Sequence, residues 1–320
     1  MKRPRMKRIG VMAWLLLPAL ALAQPAPEAA TAVATASVAT TPAAHVRSGL
    51  EIYSRFRDGL ADPDCDGEAP SPRWRKHFAS APKRMGSADD DALALFGYVV
   101  DSLHASSLPT EYALIPFVES RYRPGARSKG GPAGMWQLIR LTARTHDVPI
   151  RKGFDGRLSP VESTRAAVRY LKTLHGMFAG DWRLAAMAYN AGEYRVFGAL
   201  RRSGQVARSA DPEKLTSLSG ITRAYVRKLH ALSCLLDGGA DQAPWMQSLD
   251  REVPVLEAVD LPSDVRNLDA WSRATGRDAT MVRRLNPAFV GGVVQRGNGV
   301  QRVLAPRPAP AGLAASTLAP

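Results

Sequence analysis

Residues 113–120 read Ala113-Leu114-Ile115-Pro116-Phe117-Val118-Glu119-Ser120, an apolar run that ends on a carboxylate. The helical pattern reaches back to about Thr110, and Arg121, Arg123 and Pro124 follow it. A carboxylate at a helix C-terminus faces the negative end of the helix dipole, which disfavours its charge. Apolar neighbours desolvate it and act in the same direction. A Glu so placed can stay protonated and work as a general acid near neutral pH. Pro116 cannot donate its helical hydrogen bond, so a kink near the carboxylate is expected. The competing reading of Glu119 is a surface residue paired with Arg121 or Arg123.

The sequence on both sides of this run is helical by pattern. Leu93, Phe96, Val100 and Leu103 recur on one face, as do Val161, Val168, Leu171, Leu174 and Phe178. Ser159 reads as an N-cap with Pro160 at the first helical position and Glu162 completing a capping box. Asp181 caps another short helix that Gly192 ends, and Tyr225, Leu229, Leu232 and Leu236 mark a last one. Before this block, Leu50, Tyr53 and Phe56 share a face, and Trp74 and Phe78 are spaced to pack on a short helix. After it, Val253–Val259 and Val300–Leu304 read as strands around two short helices, Asp269–Thr275 and Thr280–Asn286, separated by Gly276. The expectation is a mainly α protein with a small βααβ module.

Domain organisation follows from these shifts. Residues 1–23 carry a basic stretch (Lys2, Arg3, Arg5, Lys7, Arg8), an apolar run from Ile9 to Leu22 and Ala21-Leu22-Ala23. That is a secretory signal cleaved before Gln24; the run is short of the ~20 apolar residues that span a bilayer. No lipid-attachment Cys follows the cleavage site, so no stable membrane anchor is expected. Residues 24–46 form an Ala/Pro linker expected to be disordered. Residues 47–91 are an N-terminal helical extension, 92–239 the catalytic domain, 240–306 the small module and 307–320 a disordered Ala/Pro tail.

The net charge of +14 becomes +9 once the five basic side chains of the signal are removed. A basic surface suits a polyanion. Export and the lack of zinc-ligand spacing or an RNA-binding aromatic signature argue against nucleic acid, leaving anionic cell-wall polymer. The chain has two cysteines, Cys65 and Cys234. In an oxidising compartment they read as a disulfide, with two buried free thiols as the alternative; so far apart, they make a poor metal site.

Three further segments stand with residues 113–120: Gly130-Gly131-Pro132-Ala133-Gly134-Met135-Trp136-Gln137-Leu138, Ala186-Met187-Ala188-Tyr189-Asn190-Ala191-Gly192-Glu193, and Thr222-Arg223-Ala224-Tyr225-Val226-Arg227-Lys228. The glycines allow close backbone approach to a ligand, Gln137 offers a donor and acceptors, and Tyr189-Asn190 sets a ring beside an amide, which suits an N-acetylated sugar. Singly, each has a bland reading as turn or core. In this order and spacing they resemble the soluble lytic transglycosylase family, in its membrane-bound lytic murein transglycosylase D-like branch. The resemblance covers residues 70 to 236, and more weakly Asn286-Pro287-Ala288-Phe289.

The resemblance implies a goose-type lysozyme-like α domain followed by a degenerate LysM-like α+β module. It implies cleavage of the β-1,4 bond between N-acetylmuramic acid and N-acetylglucosamine in peptidoglycan glycan strands, leaving 1,6-anhydromuramic ends, with no cofactor and no metal. Glu119 matches the sole acid/base. Ser120, Gln137, Tyr189 and Asn190 match residues of the substrate cleft, and Tyr225 a tyrosine near the catalytic carboxyl. Two positions depart from the branch: Ile221 stands where Glu is usual, and Arg227 where Pro is frequent. The alternatives are a hydrolytic muramidase on the same fold, which would need a second placed carboxylate (Asp147, Asp155 and Glu193 exist, but none lies within the matched catalytic pattern), and a catalytically silent peptidoglycan-binding protein. The expected location is the periplasm, in possible association with wall or outer membrane.

Overall fold

A computed structural model describes residues 44–65, 72–237, 242–295 and 299–309. The expected signal segment and most of the linker lie outside these residues. Strand β1 (Val46–Ser48) leads into helix α1 (Gly49–Asp58), whose N-cap Ser48 accepts a hydrogen bond from the Leu50 amide. Ile52, Tyr53 and Phe56 bury one face of α1, while Leu50 is only half-buried. Helices α2 (Pro72–Phe78) and α3 (Ser80–Gly86) follow, with Trp74 and Phe78 stacked at 6.0 Å on α2.

Helix α4 (Ala92–His104) is the centre of the core: Leu93, Phe96, Val100 and Leu103 are all buried. Its Phe96 ring meets Phe56 at 5.2 Å, Phe117 at 5.9 Å and Tyr122 at 6.0 Å. One helix was expected from Thr110 to Glu119; two segments are found instead. A 3-10 turn, Thr110–Leu114, precedes helix α5 (Ile115–Ser120). Pro116 stands in the first turn of α5, where a missing N–H costs nothing, so it starts a helix rather than kinking one. The Tyr112 carbonyl takes its hydrogen bond from the Ile115 amide, the tighter 3-10 pattern.

Helix α6 (Arg140–Thr145) and a hairpin of β2 (Ile150–Arg151) with β3 (Phe154–Asp155) connect to α7 (Pro160–Met177). Ser159 caps α7 by accepting from the Glu162 amide. The capping box is half made: the Glu162 carboxylate accepts instead from Arg302, a partner remote in sequence. Helix α8 (Trp182–Ala191) starts on Asp181, which accepts from the Arg183 and Leu184 amides, and Gly192 divides it from α9 (Glu193–Arg202). Helix α10 (Gly220–Asp237) packs on α8, α2 and α5 and buries Tyr225, Leu229, Leu232 and Leu236.

After α11 (Gln242–Leu249), the expected strand from Val253 to Val259 is two strands with different partners. Strand β4 (Glu252–Pro254) pairs antiparallel with β1, and β5 (Leu256–Asp260) with β6 (Arg302–Pro306). Between β5 and β6 lie α12 (Leu268–Ala274) and α13 (Ala279–Leu285), separated by Gly276 in a left-handed conformation. This is the expected βααβ order. Its core of Leu268, Trp271, Val282, Phe289 and Val303 is continuous with Ala133, Phe154 and Leu158. Parts of the stretches expected to be disordered are ordered: Ala44 bridges Pro308, and the His45 amide donates to the Arg307 carbonyl at 2.7 Å. Main-chain hydrogen bonds between these stretches supply what their small side chains cannot. Cys65 is bonded to Cys234, joining the segment after α1 to α10.

Candidate active site

Helix α5 brings Glu119 to its last turn, and the chain then reverses sharply. Arg121 and Tyr122 are both left-handed, at φ 56° and 55°, a conformation that costs non-glycine residues energy. Packing holds it: the Tyr122 ring lies 4.5 Å from that of Phe117, and its hydroxyl donates to the Ala113 carbonyl at 2.7 Å. Glu119 is thereby half-buried. Its partner is neither Arg121 nor Arg123. The Tyr225 hydroxyl, from α10, donates to Oε1 of Glu119 at 2.7 Å. Burial raises the Glu119 pKa above the ordinary carboxylate value; the Tyr225 hydrogen bond and the Lys228 ammonium oppose this without cancelling it. No second carboxylate is among the groups that perturb it. Burial, then the neighbouring Glu119 charge, pushes Tyr225 and Tyr189 well above the usual phenol value, so both are hydrogen-bond donors at any working pH.

The other matched residues form the frame around this carboxyl. Ser120 is buried and points inward: its hydroxyl donates to the Met135 carbonyl at 2.7 Å and accepts from the Arg123 amide. It fastens the end of α5 to the 130–138 loop. Gln137, at φ 47°, donates to the Gly134 carbonyl and accepts from Ser128, both at 2.7 Å, so it braces the loop from within. Trp136 is fully buried and its indole donates to Thr164 on α7. The Tyr189 hydroxyl donates to the Trp136 carbonyl at 2.8 Å, which ties α8 to the same loop. Asn190 is exposed; its Oδ1 accepts from Thr222 at 3.1 Å, which leaves the amide donor for a ligand.

The glycines serve a purpose other than the expected approach to a ligand. A Cβ on Gly134, which has φ 81°, would lie 1.7 Å from the Arg157 carbonyl. The close neighbour is therefore another part of the chain. Arg157 was not singled out from sequence, yet it organises the loop: almost fully buried, it donates to the Gly131 and Leu138 carbonyls and to Asp155. The Asp-x-Arg spacing is its only sequence signal. Thr222 was likewise missed as a site residue; it orients Asn190 and is itself held by Ser219.

Of the carboxylates considered as a second catalytic group, Asp155 and Glu193 are engaged elsewhere. Burial would raise the Asp155 pKa, but hydrogen bonds from Arg157 hold it below the ordinary value. Glu193 accepts from Tyr170, and Asp147 is an exposed residue in a left-handed turn. Among the described residues no group of three or more metal-ligating side chains is found. The departures are also accommodated: Ile221 is exposed and Arg227 pairs with Glu213 at 2.7 Å, both without disturbing the Tyr225 contact. A pocket of about 450 Å³ lined by Asn190, Thr222, Arg195 and Ile221 opens beside the Asn190 amide. A wider cavity of about 780 Å³, between α1, α4 and β5, shares no residue with the Glu119 cluster.

Residues 102–211 match the family described as "Transglycosylase SLT domain". That span carries Glu119, Gln137, Tyr189 and Asn190 and stops before α10, which supplies Tyr225. The chain is 32% identical over 210 residues to membrane-bound lytic murein transglycosylase D of Escherichia coli (strain K12), covering 66% of this chain and 46% of that protein. It is 38% identical over 115 residues to a putative tributyltin chloride resistance protein of Alteromonas sp. (strain M-1), covering 36% and 54%. Over 83 residues it is 42% identical to the peptidoglycan transglycosylase gp16 of Escherichia phage T7, covering 26% and 6%. The chain thus spans about half the length of the curated relatives that it matches first.

Proposed function

We propose that this chain, whose residues 102–211 match the transglycosylase SLT domain, is a lytic transglycosylase that cleaves the β-1,4 bond from N-acetylmuramic acid to N-acetylglucosamine in peptidoglycan. The observation that carries this reading is the Glu119 carboxyl. Burial raises its pKa above the ordinary carboxylate value, Tyr225 donates to one of its oxygens, and no second carboxylate perturbs it. Glycoside hydrolysis by the common routes needs two carboxyl groups flanking the bond. One suffices when the substrate supplies the nucleophile.

In that mechanism Glu119 protonates the glycosidic oxygen as the C–O bond breaks. The muramic N-acetyl group stabilises the oxocarbenium-like carbon from the other side, positioned by donors such as the Asn190 amide. The ionised Glu119 then removes the proton of the muramic C6 hydroxyl, whose oxygen bonds C1 to close the 1,6-anhydro ring. Atoms balance without water, and Glu119 ends protonated as it began. Tyr225 assists the middle of the cycle, because its hydrogen bond favours the carboxylate over the acid. Ser120, Gln137 and Tyr189 hold the loop against α5 and α8, so their contribution is positional.

The signal-like segment 1–23, which lies outside the described residues, supports export with a mature start near Gln24 and work in the periplasm. Among the described residues no helix is long and apolar enough to cross a membrane. Digestion of purified sacculi followed by mass spectrometry of the muropeptides tests the assignment. Anhydromuramic ends support it. Reducing muramic ends would show a hydrolytic muramidase, and binding without products a silent wall-binding protein.

A further inference from the structure

Beside the loop that carries Gln137, on a wall shared with the small module, lies a cleft of about 510 Å³ that the mechanism does not use. Four cations line it: Arg127 and Arg140 at the two ends of the loop, and Arg151 and Lys152 from the β2–β3 hairpin. The one carboxylate in the lining, Asp155, is already bonded to Arg157 at 2.7 Å, with Arg127 a further 3.8 Å contact. Arg140 and Lys152 are exposed. Arg151 stacks on Phe154 with its guanidinium 4.4 Å from the ring centre and donates to Gln301, while its Nε is buried without a hydrogen-bond partner. Apolar surface from Ile150, Ala288 and the 71% exposed Val290 completes the wall.

The cleft is built, not incidental. Gly153, at φ 76°, supplies the left-handed turn of the hairpin, and the end of the exposed Gln295 side chain lies over it. Phe154 packs on Phe289 of the module at 5.1 Å. Hairpin and loop therefore gather the four cations along one cleft whose lining holds a single carboxylate, Asp155.

We propose that this cleft binds the carboxylates of a peptide stem carried by the glycan strand, and so selects peptide-bearing over bare glycan. The inference rests on the peptidoglycan reading above. The disaccharide backbone of that polymer is neutral apart from its substituents; its negative charge lies on the carboxylates of the stem peptides, spaced by small apolar side chains. Clustered guanidinium and ammonium groups beside an apolar wall complement that chemistry. The loop that carries Arg127 and Arg140 is the one that Ser120 and Tyr189 bond to through the Met135 and Trp136 carbonyls, so the cleft and the frame around Glu119 share one segment.

The test uses the full chain and the double variant R140A/K152A. Neither side chain belongs to the catalytic machinery, and both are exposed, so the melting temperature should be unchanged. Binding of a soluble muramyl tetrapeptide is measured by calorimetry at two salt concentrations. Cleavage is measured on intact sacculi and on glycan strands stripped of peptide by an amidase, which keep one lactyl carboxylate per muramic acid but none of the stem's. The expected result is about tenfold weaker tetrapeptide binding in the variant, with a smaller salt dependence than the wild type's. On sacculi kcat/KM should fall by a similar factor through KM, while bare glycan is cut as by wild type. Equal binding of the tetrapeptide by both proteins, or an equal loss on both substrates, would overturn the proposal. Wild type that binds the tetrapeptide but makes no anhydro products from either substrate would instead sink the transglycosylase reading and leave the cleft assignment standing.

Discussion

The Tyr225 hydroxyl and the Glu119 carboxyl meet at 2.7 Å although 106 positions separate them, one on the last long helix and one at the end of α5. The hydrogen bond favours ionised Glu119, so removing it raises the Glu119 pKa further. Y225F should therefore shift the alkaline limb of the kcat/KM profile to higher pH, because the general acid stays protonated longer. A hydrogen bond to a charged group is worth about 1.5–3 kcal/mol, so kcat should fall about tenfold or more. A profile that superimposes on wild type would show that Tyr225 does not act on this carboxyl.

E119Q should fold as wild type and lose cleavage. Gln preserves shape and can still accept from Tyr225 but has no proton to deliver. General acid catalysis contributes about 10²–10⁴-fold, and the same residue is needed again as base, so the loss should reach at least that range. Anhydromuropeptide release and thermal melting, followed together, decide. If Glu119 were only a surface residue, activity would be retained.

Reducing the Cys65–Cys234 bond should destabilise the chain without changing the site directly. The bridge closes a loop of 169 positions and ties the segment after α1 to the helix that carries Tyr225. In the chain-entropy model a loop of this size contributes about 5 kcal/mol. Melting with and without reductant measures it. Two titratable thiols in unfolded, unreduced protein would reject the bond.

Glu111 should give stability a distinctive pH dependence. It is buried, its Oε1 accepts from the Ala61 and Asp62 amides, and its other oxygen has no partner. Burial raises its pKa from 4.5 to about 7, against the opposing backbone hydrogen bonds. Because the folded value exceeds the unfolded one, stability is fullest below about pH 4.5 and declines as pH rises to about 7, by on the order of 3 kcal/mol. E111Q keeps an acceptor for the two amides and cannot ionise. It should flatten that decline, visible as a smaller difference in Tm between pH 5 and pH 8. An undiminished difference would assign the decline to other groups.

G134A should be strongly destabilising, by roughly 2–4 kcal/mol, since both the positive φ and the clash with the Arg157 carbonyl oppose a side chain. Arg157 and the loop would have to separate, so activity should fall with stability. Denaturant titration of the variant gives the number; a change below about 0.5 kcal/mol would mean the loop adapts freely.

The helices were largely legible because their signals are local. Ser159 and Asp181 act as caps where the sequence places them, and the buried positions of α4, α7 and α10 follow their helical periodicity. The raised pKa of Glu119 was legible for the same reason: its apolar run lies next to it. What was not legible depends on partners far along the chain. Ser120 turns inward because Met135 offers a carbonyl, Glu162 leaves its capping box for Arg302, and the strand splits at Val255 because β1 and β6 take different halves. Gly134 read as ligand-facing because Arg157 could not be placed opposite it from sequence.

The pairing of β1 with β4, and of Ala44 with Pro308, also orders events in time. A chain that emerges N-terminus first, from a ribosome or through a translocation pore, presents residues 44–48 long before 252–254 and 308 exist to meet them. Until then they are an unpaired edge, and such edges invite pairing with other chains. Closure through contacts this remote in sequence is also slow, since loop entropy must be overcome before the contact forms. Residues 46–48 therefore cannot reach their native pairing until residues 252–254 have been delivered, nor Ala44 until Pro308 has, which keeps this edge open through most of the threading.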